Sequence, residues 1–137
     1  MDNMENIFEE VEQQKPERRP WLEWKVAGQE YRLKLTTSTI KKLEQQFKTS
    51  LLTAVLDEGI PPIGTVVIVL QGALQKYHHG FTSEKVESLI DDYLDEGGTQ
   101  ITLLQDVIYP LMHDAGFFTD AMMALITSAM DDIDTQL

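Results

Sequence analysis

The spacing of apolar residues changes period near residue 36. Trp21-Leu22-Glu23-Trp24-Lys25-Val26 and Tyr31-Arg32-Leu33-Lys34-Leu35 alternate apolar with polar, and Ala27-Gly28-Gln29-Glu30 joins them. Alternation on both sides of a glycine-containing turn predicts a β-hairpin. Leu22, Trp24 and Val26 share one face, as do Tyr31, Leu33 and Leu35. A two-stranded hairpin alone is marginal in water, so this face needs cover from helices or from another subunit. The outer edges of the hairpin should present unpaired backbone groups to further strands. Beyond it, Ile40, Leu43 and Phe47 fall on one helical face, with Thr36, Thr37 and Ser38 available as caps, and the helix should run to about Lys48.

Everything further along reads as helix. Leu51, Leu52, Val55 and Leu56 form a short amphipathic segment stopped by Gly59 and Pro61-Pro62. From Ile63 to about Tyr77, the positions Val66, Val67, Val69, Leu70, Ala73 and Leu74 suit a largely buried helix. The β-branched residues also permit a strand at Thr65–Leu70. Pro62 as a helix start and the pattern continuing through Gln71 to Tyr77 favour helix. After Gly80, Thr82 caps a helix carrying Val86, Leu89, Ile90, Tyr93 and Leu94, with Phe81 placed to staple against Val86 and Gly97-Gly98 closing the segment. The next helix starts at Thr99 and contains Pro110, which predicts a kink or break near Val107 to Tyr109. Thr119 then caps a final helix bearing Met122, Met123, Ile126, Ala129, Met130 and Ile133. Asp131, Asp132 and Asp134 oppose the dipole at its end and predict fraying there. The expected fold is therefore mainly α within the α+β class: a hairpin over 21–35, then a bundle of about five to six short helices over 37–137. Residues 20–137 read as one globular domain behind an acidic, polar and mobile tail at 1–19, where Ile7, Phe8 and Val11 are the only hint of a nascent helix.

Composition narrows the function classes. The 137 residues include no cysteine, which excludes disulfides, thiolate metal sites and thiol chemistry and suits a reducing cytoplasm. No positively charged leader with an apolar core is present, and the longest purely apolar run lies within Val66–Leu70, far short of a membrane span. The net charge of -12 is unevenly spread: residues 15–48 hold nine bases and four acids, whereas Glu84 onward holds twelve acids and one base, Lys85. Such an acidic helical half repels phosphate backbones, so no nucleic-acid partner is expected. A solvated, solubilising surface accounts for the charge, and head-to-tail association of the basic hairpin with the acidic helices of another copy is the sharper alternative.

Candidate chemistry is sparse. The three histidines are His78, His79 and His113. The first two sit at an expected helix C-terminus, where the dipole favours a cationic imidazole, and as sequence neighbours they diverge around the axis. Asp91, Asp92, Asp95 and Glu96 before Gly97-Gly98 fail the calcium-loop pattern, because the third position would be Tyr93 and the sixth Glu96. No phosphate-cradling glycine loop occurs. No catalytic, cofactor-binding or metal-binding residues are therefore expected, and an enzyme is not. The methionines of the last helix either pack in the core or offer an adaptable ridge to a partner helix. Trp21, Trp24, Met122, Met123, Ile126 and Met130 are the candidate partner-binding residues.

Tyr31-Arg32-Leu33-Lys34-Leu35-Thr36, followed by Ile40, Leu43, Glu44 and Phe47, resembles the start of tail assembly chaperones of long-tailed, siphovirus-type bacteriophages, with relatives in prophages and gene transfer agents. The similar layout continues through Phe81-Thr82-Ser83-Glu84-Lys85-Val86 and covers roughly Trp21 to Phe117. The resemblance implies a non-enzymatic protein that coats the long helical tape measure protein, keeps it soluble, and helps tail tube subunits polymerise around it. It implies a location in the host cytoplasm and absence from the mature virion. It further implies a longer frameshifted product that would reach the tail tube protein, this chain being the shorter product. The contrasting expectation is a tail-completion or connector protein retained in the particle. The resemblance supplies no catalytic residues.

Overall fold

Val26 pairs with Gln29 across a two-residue turn, so Gln29 and Glu30 belong to the second strand and not to a four-residue loop. Ala27 and Gly28 both take positive φ, 53° and 76°. This is the turn geometry that matches the twist of a tight hairpin. The computed structural model describes residues 18–57 and 59–136, with no side-chain detail from 133 onward. The tail expected at 1–19 lies outside the described residues up to position 17. Strand β1 spans Leu22–Val26 and β2 spans Gln29–Leu33, antiparallel, with Glu23 opposite Arg32 and Lys25 opposite Glu30 on the outer face. Inward, Leu22, Trp24, Val26 and Leu33 are buried.

Six helical segments follow among the described residues. Helix α1 (Thr37–Phe47) is capped by the Thr36 hydroxyl, which accepts from the Thr39 amide, and ends at Lys48 in the left-handed region. Helix α2 (Leu51–Leu56) has Ser50 as its cap, and the Glu44 carboxylate reaches across to the Leu51 amide at 2.8 Å. A negative group at that end matches the helix dipole. Helix α3 (Ile63–Leu74) packs against α1, β2, the next helix and the one after it. Being surrounded, it buries Val66, Val67, Val69, Leu70, Ala73 and Leu74. Neighbours on several sides explain why a β-rich sequence is held as a helix: each such side chain gains roughly 1.5–3 kcal/mol on burial, which outweighs a weak propensity. Helix α4 (Ser83–Asp95) is capped by Thr82. Gly97 donates to the Leu94 carbonyl and Gly98 to the Tyr93 carbonyl, both at 3.1 Å, the paired bonds of a Schellman ending.

The fifth helix, α5, is continuous from Gln100 to Asp114 but changes winding on the way. It is α-helical over Gln100–Leu103, widens to a π-helical turn over Leu104–Ile108, and returns to α over Tyr109–Asp114. The expected kink at Val107–Tyr109 is therefore a widened turn that begins three residues earlier. Pro110 has no amide to donate to Asp106, and the Tyr109 amide bonds five residues back to the Leu104 carbonyl. The wide turn absorbs the missing donor without breaking the helix. The last helix, α6, runs over Asp120–Gln136, with the Thr119 hydroxyl accepting from the Met122 amide. Asp131, one of the acidic residues expected to fray this end, accepts through Oδ1 from Gln105 Nε2 at 2.6 Å, which ties α6 to α5 about one turn before its last residue.

Helices cover the hairpin on its apolar face. α3 packs on β2, while α4 and the second half of α5 pack on β1. Its β2 edge is also used up in part, contrary to the expectation of open strand edges. The Arg32 amide donates to His78 Nε2 and the Lys34 amide to the Ala73 carbonyl, both at 2.9 Å. The Ala27 amide at the turn donates to Glu96 Oε1.

Candidate partner-binding surfaces

α6 meets the rest of the fold along one stripe. Met130 is buried, Met123 and Ile126 are half-buried, and Phe118 just before the helix is buried. Within the helix, Met123, Ile126 and Met130 fall at spacings of three and four, as a docked helical face requires. The opposite stripe is exposed and apolar: Met122 is 47% exposed and Leu125 is 72% exposed, with Ala121, Ala124 and Ala129 beside them. Leu125 is absent from the sequence-derived set, although its place three residues after Met122 puts both on one face.

The six sequence-derived candidates thus separate. Met122 lies on the open stripe, and Met123 and Ile126 lie at its margin, packed against the core. Met130 is 5% exposed and Trp24 is 3% exposed, so neither is on the surface of this conformation, which corrects their place in the set. Trp24 is inside because its strand faces the helices, with the Tyr31 and Tyr93 rings 6.4 and 6.0 Å away. Its indole N–H is buried without a hydrogen-bond partner among the described residues. Trp21 is half-buried, edge-on to Tyr77 at 5.9 Å and covered by the Arg32 guanidinium at 4.4 Å from the ring centre. Its exposed part is small and its neighbour is a cation.

The titratable groups form bracing contacts. His78 accepts the Arg32 backbone amide through Nε2 at 2.9 Å, which ties the segment after α3 to the β2 edge. Its ring also meets Tyr31 at 5.4 Å and Phe81 at 5.9 Å. His113 lies between Asp120, at 2.7 Å from Nε2, and Asp114, at 3.5 Å from Nδ1. Asp114 in turn receives Arg19 at 3.0 Å. That chain of contacts joins the ends of α5 and α6 to the segment before the hairpin. Tyr109 is buried, and desolvation raises its phenol pKa above the ordinary 10.0. Among the described residues no hydroxyl is bonded to a histidine, and no group of three or more His, Asp or Glu side chains is arranged to hold a metal ion. No helix among them is long and apolar enough to cross a membrane.

No curated protein and no solved structure matches this chain. A family model does, over residues 23–136, from the first strand through the last helix. The chain therefore belongs to the family of unknown function DUF6096.

Proposed function

We propose that the protein is a non-enzymatic tail assembly chaperone: it binds the tape measure protein of a long-tailed bacteriophage or prophage in the host cytoplasm, keeps it soluble, and promotes tail tube assembly around it. One observation carries the reading. The exposed Met122 and Leu125 stripe of α6 is an apolar helical face on an otherwise strongly acidic protein. A partner helix laid along that stripe would bury side chains worth roughly 1.5–3 kcal/mol each, before the costs of association. Methionine adapts its shape to varied partners, which suits a long helical client. The acidic remainder keeps the complex dispersed. The resemblance at Tyr31–Phe47 points the same way and names the client class.

Co-expression with the tape measure gene tests the proposal. The expected outcome is a soluble, co-purifying client with the wild-type protein and an insoluble client with Leu125→Glu or Met122→Glu. An equally insoluble client with and without the wild-type protein would count against it. Detection of this chain in purified virions by mass spectrometry would instead favour a retained tail-completion or connector component.

A further inference from the structure

A second surface, built from different elements, lies between the start of α3 and the middle of α4. It is an open groove of about 550 Å³ whose floor is apolar (Ile63, Gly64, Val67 and Ile90) and whose wall carries the carboxylates Glu87 and Asp91. Ile63 is 44% exposed although it opens a helix that is otherwise the most buried in the fold. A Cβ built on Gly64 meets nothing within 4 Å, so the backbone of α3 lies open to a neighbour there. Neither Glu87 nor Asp91 has an ion-pair partner among the described residues. The one base of α4, Lys85, is turned to the Phe81 ring, 5.9 Å from its centre.

We infer that this groove binds an amphipathic helix of a partner protein that presents an apolar side chain flanked by lysine or arginine residues one turn apart. Glu87 and Asp91 are four residues apart on α4, which spaces them by about 6 Å along its axis. Basic groups at the same spacing on a helix laid beside α4 face both carboxylates at once. The glycine lets that helix approach closely, and Ile63, Val67 and Ile90 receive its apolar side chain. A second copy fits poorly. Two copies meeting groove to groove oppose like charges, and neither the exposed basic face of α1, Lys41 and Lys42, nor the basic outer face of the hairpin, Lys25 and Arg32, carries an exposed large apolar residue for the floor. Charge and shape together select a basic, helical partner.

A synthetic helical peptide of about 15 residues with Leu and Ala on one face and flanking Lys pairs serves as the probe, with a Glu-for-Lys version as control. The wild-type protein should bind the Lys peptide and ignore the Glu peptide. Gly64→Leu fills the groove while keeping every charge, and it should weaken binding at least about tenfold with unchanged circular dichroism and a melting temperature no lower than that of the wild type. The pair Glu87→Lys and Asp91→Lys should do the same. Binding of the Lys peptide by a folded Gly64→Leu variant within about twofold of wild type would assign the attraction to diffuse charge and overturn the inference. So would a wild-type dimer in sedimentation velocity that Gly64→Leu dissolves, because it gives the groove to a second copy. No tape measure protein enters this test, so the groove and the chaperone function fail separately.

Discussion

Glu96, just past the end of α4, accepts the backbone amide of Ala27 at 2.6 Å, and Ala27 is the turn residue held at φ 53°. A left-handed alanine costs roughly 1–2 kcal/mol, and the carboxylate partly offsets that by satisfying its N–H. Ala27→Asn should therefore raise stability by about 0.5–1 kcal/mol, because asparagine is favoured at this place in a two-residue hairpin turn. Glu96→Ala should lower it by a similar amount, the bond being exposed to water. Urea denaturation checks both, as a change in midpoint at constant slope.

Two glycines should respond in opposite ways to the same change. A Cβ on Gly98 would lie 2.4 Å from the Tyr93 ring, whose hydroxyl is held to Thr102 at 2.7 Å and cannot swing aside freely. Gly98→Ala should cost about 1–3 kcal/mol. Gly64 sits in the first turn of α3 beside open space, so Gly64→Ala should be neutral or stabilising by up to about 0.5–1 kcal/mol. Thermal melts of the two variants, run side by side, decide the matter.

Burial of Tyr109 gives stability an alkaline limit. Its pKa is raised in the folded state above 10.0 by desolvation, so the native protein holds this proton more tightly than the unfolded chain does. The contribution is fully present below pH 10 and is lost as pH rises from there through the folded value. Tyr109→Phe removes the coupling. The stability difference between wild type and variant should be flat at neutral pH and should shift in favour of the variant above about pH 10. A difference that stays constant across that range would contradict the assignment.

The two tryptophans should report separately by fluorescence. Trp24, 3% exposed among aromatic rings, should emit at short wavelength and resist acrylamide in a Trp21→Phe variant. Trp21, partly exposed beneath Arg32, should be quenched more readily than Trp24, measured in a Trp24→Phe variant that remains folded. Equal quenching of both would place Trp24 outside the core.

Most of this fold can be read from local chemistry. Alternation locates the strands, Thr36, Ser50, Thr82, Thr99 and Thr119 mark helix starts, and the glycines at 97 and 98 close α4. Features that depend on contacts distant in sequence are hidden. The hairpin turn is two residues and not four, since Glu96 supports a left-handed Ala27 that local preference alone would disfavour. In α6 the pattern groups Met122 with Met130, whereas docking turns Met130 inward and leaves Met122 and Leu125 outside. Apolar spacing reveals a helix's oily side but not which part of it finds cover. The groove beside Glu87 and Asp91 is hidden for the same reason: it exists only once α3 and α4 are packed side by side.

The widened turn in α5 leaves a mark of its own. Leu103, Val107 and Leu111, like Leu104, Ile108 and Met112, recur at strict intervals of four, and all six are buried. At about 100° per residue, eight ordinary helical residues overrun two full turns by about 80°, which would swing Leu111 and Met112 off the core. The slack at Leu104–Ile108 cancels that drift. The segment thus behaves as a gear with one extra tooth: removing a single residue there would yield a more regular helix and a misaligned one, so its length is dictated by the partners it meshes with.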